Sequence, residues 1–330
     1  MLGKRLGIDL GAGTLRVVAR GEAQVLTEPS LVARHRGRGY AAAGEAAAAL
    51  AGDPEMELIR PVRGGAIADR EALSLLLQRA VNRAVGRQRI FRPDAVIAIC
   101  PRLSSADRLH ILEVCARLGT RTVYLIDTPL AAVMGAGHSP AGPRAHLIVD
   151  VGAGSVDVAC LAQEGTVAGQ SLTRGGEWLR AAVSRRLEEV HHVRLDATAL
   201  EAVVSSLACV GPHEERRMPV RTGAEADPED HVSVTSHEIA DLVDEHARGI
   251  AAQVREVIDQ APSALRRDLL EEGITLCGGG ARLEGLERFL GVHTGCPART
   301  AADPQGCVIR GTQLAVESLD VLRRSFVYIR

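Results

Sequence analysis

The sequence predicts an α/β fold built twice over, in two related domains that share a cleft. A short phrase carries most of that prediction. It reads Ile8-Asp9-Leu10-Gly11-Ala12-Gly13-Thr14 near the start and returns as Val149-Asp150-Val151-Gly152-Ala153-Gly154-Ser155. Each copy is an apolar strand, an aspartate, a glycine turn and a hydroxyl residue, followed by a second apolar run at 17–19 or 156–161. The spacing is too long for a solenoid repeat and fits a duplicated domain. Between and beyond the copies, strand-like runs alternate with helical patterns, the mark of the α/β class. A length of 330 residues accommodates two domains.

The phrase has a chemistry. A strand ending in aspartate sets a carboxylate at the lip of a sheet. The glycines let the backbone turn tightly and approach a ligand closely. Successive N–H groups in such a turn form a nest for anionic oxygens, to which Thr14 and Ser155 could add hydroxyl donors. One such hairpin alone is an ordinary β-turn. Two, facing each other, would grip a polyphosphate from both sides, with Asp9 and Asp150 holding Mg²⁺ through its waters. Neither copy fits the Walker pattern or the dinucleotide G-x-G-x-x-G. A third cluster, Gly278-Gly279-Gly280-Ala281, ends an apolar strand at 273–277 and leaves room for a ring or a ribose. Residues 282–290 then read as a helix with Leu283, Leu286 and Leu290 on one face.

The remaining elements follow in order. Residues 6–32 read as strands and turns, and 33–65 as a small insertion. Asp69 to Val85 is helical, with Leu73, Leu76, Leu77, Ala80, Val81 and Ala84 at spacings of three and four. Ala95 to Ile99 is a buried strand. Ser104 to Asp107 opens a capped helix that Gly119 stops. A strand at 122–126 and a helix opening at Pro129 complete the first half. In the second half, Trp178 to Val190 is helical, 210–232 is a polar loop or small hairpin, and Ile239 to Ile258 is an amphipathic helix that Pro262 ends. His191-His192 reads as a solvated or capping pair, because adjacent side chains diverge and zinc needs convergent ligands.

Composition excludes several classes. Net charge is −2, which argues against a nucleic-acid field, and 2 % aromatic content argues against stacking platforms for single strands. Cys100, Cys115, Cys160, Cys209, Cys277, Cys296 and Cys307 are scattered, odd in number and without C-x-x-C, as reduced core thiols of a cytosolic protein are. No signal peptide is expected, since the first strand starts almost at once, and no apolar run reaches the ~20 residues of a membrane span.

The two hairpins and the triple glycine resemble the actin-fold ATPase superfamily, and longer segments resemble its MreB family of bacterial actins. Leu26-Thr27-Glu28-Pro29-Ser30-Leu31-Val32 is similar to L-N-E-P-S-V-V. Residues 59–69 (IRPVRGGAIAD) resemble I-R-P-M-K-D-G-V-I-A-D, and residues 124–137 (YLIDTPLAAVMGAG) resemble Y-L-I-E-E-P-M-A-A-A-I-G-A-G. The likeness runs nearly end to end. It implies an actin-like, ribonuclease H-like duplicated fold with nucleotide between the domains: domain I at 1–144 plus 309–330, and domain II at 145–308 with a small subdomain at about 182–236. It implies ATP or another nucleoside triphosphate with Mg²⁺, self-assembly into filaments, a role in cell shape and wall synthesis, and a place in the cytoplasm or at the inner face of the membrane. The cofactor-binding residues would be Gly11, Ala12, Gly13, Thr14, Gly152, Ala153, Gly154, Ser155, Asp196 (toward a ribose hydroxyl), Gly278, Gly279, Gly280 and Ala281.

The departures from the family pattern cluster at the chemistry. The hydrolytic glutamate before the proline of E-E-P is Thr128 here, and Asp127 stands one residue off. A threonine is no general base at neutral pH, though its hydroxyl could orient a water. The first turn's T-A-N-T becomes Ala12-Gly13-Thr14-Leu15. The family's G-E-R-T corresponds to Leu195-Asp196-Ala197-Thr198, and a following lysine to Val203. Binding with slow hydrolysis is therefore expected. Two other readings are a non-polymerising pseudo-ATPase adaptor of true filaments and a small-molecule kinase of the superfamily. The C-terminal 322–330 pairs basic and apolar residues and reads as a strand or helix end that could also touch anionic lipid.

Overall fold

The computed structural model describes residues 4–86, 92–139, 142, 144–162, 165–221, 231–318 and 327–329, the last three in backbone only. The first half runs β1 (Arg5–Leu10), β2 (Thr14–Ala19), β3 (Leu26–Pro29), β4 (Val32–His35), β5 (Gly39–Ala43), α1 (Glu45–Ala48), β6 (Met56–Ile59), β7 (Val62–Arg63), β8 (Ala66–Ile67), α2 (Arg70–Val85), β9 (Asp94–Ile99), α3 (Ser105–Arg117), β10 (Thr122–Asp127) and α4 (Thr128–Gly135). The second runs β11 (His146–Val151), β12 (Val156–Ala162), β13 (Gly165–Leu172), α5 (Gly176–His191), α6 (Ala197–Leu207), β14 (Arg217–Arg221), β15 (His231–Thr235), α7 (Ala240–Gln260), α8 (Ser263–Glu272), β16 (Ile274–Cys277), α9 (Leu286–Thr294), β17 (Ala298–Thr300), α10 (Cys307–Glu317) and β18 (Val327–Ile329).

The sheets show the duplication. One has the order β18-β10-β9-β1-β2-β3, the other β13-β12-β11-β16-β17. In each, an antiparallel meander (β1-β2-β3; β11-β12-β13) is extended by two parallel strands, β9 and β10 or β16 and β17. The register repeats too. Asp9 on β1 lies opposite Arg16 on β2, and Asp150 on β11 lies opposite Asp157 on β12. β1 is buried along its whole length and β11 at every residue after His146, as strands covered on both faces are.

Local chemistry sets the helix ends. The Asp69 carboxylate accepts from the Ala72 N–H to cap α2, and the Ser104 hydroxyl accepts from the Asp107 N–H to cap α3. His192, left-handed at φ 56°, closes α5, and His191 lies 3.2 Å from Glu238, so the pair does cap and pair. The polar 210–232 stretch contributes the hairpin β14–β15, with 222–230 outside the described residues. One element starts elsewhere than expected. Residues 279–282 form a 3₁₀ turn and α9 begins only at Leu286, after left-handed Gly285. An added Cβ on Gly285 would run into the Val210 carbonyl, so a tertiary contact sets this start. Leu286 and Leu290 are fully buried, as the helical spacing implied.

The two sheets are joined at their base by α4 and α10. α10 lies against β1 and β9 as well as α4, so the chain's C-terminal part returns to the first sheet, where β18 pairs with the β10 edge. An added Cβ on Gly135 would overlap the Cys307 carbonyl oxygen, and one on Gly311 would overlap the Ala131 carbonyl oxygen. Bare glycines on both helices allow this approach. The lipid-contact reading of 322–330 falls largely outside the described residues; 327–329 are strand. All seven cysteines are buried and unbridged. Among the described residues, no helix is long and apolar enough to cross a membrane.

Gly311→Ala is expected to cost about 2–3 kcal/mol through overpacking of the α4–α10 contact, measured by urea unfolding. A loss below ~0.5 kcal/mol would show that the helices can separate freely.

A candidate polyphosphate cleft between two glycine hairpins

The turns that follow Asp9 and Asp150 meet tip to tip. An added Cβ on Gly13 would stand 2.8 Å from the Ala153 Cβ, and one on Gly154 would stand 2.7 Å from the Ala12 Cβ. The expectation that the hairpins face each other is therefore met in the geometry. Between them lies a cavity of about 120 Å³. That is room for a phosphate chain rather than a whole nucleotide, whose sites run to several hundred Å³.

The carbonyls of both turns are bound from behind. In the first, the Ser30 hydroxyl donates to Gly11 O at 2.6 Å, Arg60 Nη1 to Ala12 O at 3.4 Å, and the Ser30 N–H to Gly13 O at 3.1 Å. In the second, the first turn of α5 donates from Gly176 N–H to Gly152 O at 3.0 Å and from Glu177 N–H to Ala153 O at 2.8 Å. Gly175 must lack a side chain for α5 to come so close: a Cβ there would sit 2.5 Å from Ala153 O. The N–H groups of Ala12, Gly13, Ala153 and Gly154 have no partner within the described protein. Ala12, Gly13 and Ala153 are half-buried and Gly154 is buried, and paired nests of free N–H groups are suited to anions.

The charges at the cavity are unusual. Asp9, Asp150 and Asp157 all line it and all are buried; Arg16 is the one basic side chain among the lining residues. Burial raises the Asp9 carboxyl to about 6, against the opposing effect of Arg16 at 3.2 Å. Burial, then the charges of Asp157 and Asp9, raises Asp150 to about 7. Burial also raises Asp157, although Ser171, Ser155 and Cys100 hydrogen-bond to it. Clustered carboxylates held out of water favour a bound cation. Their hard oxygens suit Mg²⁺. Among the described residues no three His, Cys, Asp or Glu side chains converge as a direct metal shell.

Of the other expected site residues, Thr14, Gly152, Ser155, Gly278 and Thr128 line the cavity. Asp127 points elsewhere: its carboxylate accepts from Arg108 at 3.0 Å and borders a groove on Pro101, Arg102 and Pro129. Asp196 caps α6 by accepting from the Ala199 N–H and does not line the cavity. Gly279, Gly280 and Ala281 lie in the 3₁₀ turn outside it. The space that the glycine cluster leaves is partly taken by the protein itself. Left-handed Gly278 backs onto the Asp150 carboxylate and Val151, and Gly280 onto the Val151 side chain. Sequence reasoning missed Arg16, Asp157, Ser30, Cys100 and Gln305. The signal for the first two was present, since both stand opposite the aspartate in the repeated hairpin. It also missed a bridge between the two halves, where the Arg60 guanidinium lies 3.1 Å from a Glu177 carboxylate oxygen.

Comparison with known proteins gives the family and the fold. The sequence model of the family described as MreB/Mbl protein matches residues 3–324. The chain belongs to the MreB/Mbl family. It is 31 % identical to the cell shape-determining protein MreB of Escherichia coli, over 97 % of this chain and 95 % of that one. It is 29 % identical to the cell shape-determining protein Mbl of Bacillus cereus, over 98 % of both. Its fold is that of Spiroplasma citri MreB5 crystallised with AMPPNP (TM-score 0.87, 24 % identity, 98 % of this chain and 99 % of that one). The fold is also shared with MamK in its double helical filament (TM-score 0.79, 21 % identity, 95 % and 98 %). This MreB/Mbl member is thus an actin-like, two-lobed bacterial actin homologue, as the resemblance implied.

The raised carboxyls carry a sign. A carboxyl held above its unfolded value contributes stability at low pH that is lost as pH rises through the folded value. For Asp150 that window runs from about 4 to about 7. Asp150→Asn, in chelator and without nucleotide, is expected to melt higher than the parent at pH 8 and level with it near pH 4. Equal melting points at pH 8 would contradict the buried-charge account.

Proposed function

We propose that this chain binds a nucleoside triphosphate, ATP by family resemblance, in the cleft between the hairpins and that it assembles into filaments that act in cell shape. The observation that carries the reading is the pair of apposed turns whose carbonyls are bound from behind while their N–H groups remain free. MreB5 crystallised with AMPPNP and with ADP, and MamK in a filament, support it by likeness. The lobes would divide at 144/145, with 309–330 returning to the first. Asp9 and Asp150 would hold hydrated Mg²⁺, which supplies countercharge to the phosphates. Self-association is the expected partnership, in the cytoplasm or against the inner face of the membrane, alongside wall-synthesis proteins.

Hydrolysis would be slow. Thr128 stands where the family's glutamate does, and its orphaned hydroxyl faces the cavity with a donor and lone pairs but no basicity. It can orient a water; it cannot take the proton. Asp127, tied to Arg108, does not replace it.

Two measurements test this. Purified protein with Mg-ATP is expected to form filaments under the electron microscope, and dispersed particles under all nucleotide conditions would favour the adaptor instead. Thr128→Glu is expected to raise phosphate release about 10²-fold; parental turnover already at the level of the variant would refute the assignment of Thr128.

A further inference from the structure

The two hairpins differ at one position that their shared register makes equivalent. Opposite Asp150 stands Asp157; opposite Asp9 stands Arg16. Arg16 is the one basic side chain lining the cavity among the described residues, and its side chain is 19 % exposed. One of its Nη atoms donates to Asp9 Oδ2 at 3.2 Å, and its other guanidinium N–H donors have no partner among the described residues. A guanidinium with one arm on a carboxylate and the rest free beside four unpartnered loop N–H groups is arranged for a phosphate oxygen.

The charge balance gives it a task. A triphosphate entering this cavity meets three carboxylates. A diffusible cation can offset that repulsion, and so can a fixed one already in the wall. We propose that Arg16 is a polyphosphate-binding residue that serves as a resident countercation, so that nucleotide uptake by this chain depends only weakly on Mg²⁺. The proposal rests on the nucleotide reading of the cleft. The guanidinium keeps its contact with Asp9 through one arm and donates to the phosphate chain through the other.

A purely structural role is the competing explanation. Arg16 would then only neutralise Asp9, and its removal would lower the melting point without changing how nucleotide binding responds to metal. The deciding quantity is therefore the ratio of ATP dissociation constants in EDTA and in Mg²⁺, measured by calorimetry on the full chain, for the parent, Arg16→Leu and Arg16→Lys. The parent ratio is expected to stay below about tenfold. Arg16→Leu should bind ATP in EDTA roughly 10- to 100-fold more weakly than the parent, the worth of one charge-assisted bond, with a much smaller loss in Mg²⁺. Arg16→Lys should recover part of the EDTA affinity, which also covers the case in which the leucine variant folds poorly. Inorganic tripolyphosphate in EDTA should follow the same order. Equal ratios for parent and Arg16→Leu would overturn the proposal while leaving the cleft a nucleotide site. No ATP binding by the parent in Mg²⁺ would instead remove the nucleotide reading, and the proposal with it.

Discussion

The constraint on which the rest depends is the tip-to-tip approach of two glycine turns from two separate sheets. Ala12 and Ala153 each fit against a bare glycine on the opposite turn, Gly154 and Gly13. Such an approach fails if either sheet shifts. The structure holds both through the glycine-mediated crossing of α4 and α10 and through Arg60, which reaches Ala12 in one half and Glu177 in the other. Ser30 and the first turn of α5 complete the bracing. They bind the loop carbonyls and so leave N–H groups at the cavity. The free N–H groups at the cleft are thus a consequence of what lies behind the loops, as much as of the glycines in them.

Against that partial positive field stand three buried carboxylates. The combination is costly for the protein alone, and the raised Asp9 and Asp150 carboxyls are the sign of that cost. On the proposed function it would become favourable when cation and polyanion arrive together, each offsetting the other's desolvation. A site of this kind links stability to occupancy, because whatever binds the folded cleft stabilises it by mass action. Arg16 softens the imbalance most in the first hairpin, where it pairs with Asp9, and through its charge at Asp150 as well.

Much of this was legible in the sequence, for local reasons. The repeated phrase located both Asp residues and both turns because strand, aspartate and glycine form a contiguous signal. Asp69 and Ser104 marked helix starts because capping is decided within three residues. The start of α9 was misplaced because Gly285 answers to Val210, far away in sequence. The bracing by Ser30, Arg60 and Glu177 was invisible for the same reason: each acts on a loop that the sequence does not place beside it. Arg16 and Asp157 are the intermediate case. Their positions followed from the repeat, but only the paired register shows that they face the aspartates.

The account stands on the free N–H groups of the two turns receiving one polyphosphate together. Amide hydrogen exchange with and without Mg-ATP measures this directly. The account predicts that protection rises at 12–13 and at 153–154 together, at the same nucleotide concentration. Protection confined to one turn, or absent from both at millimolar nucleotide, would contradict it.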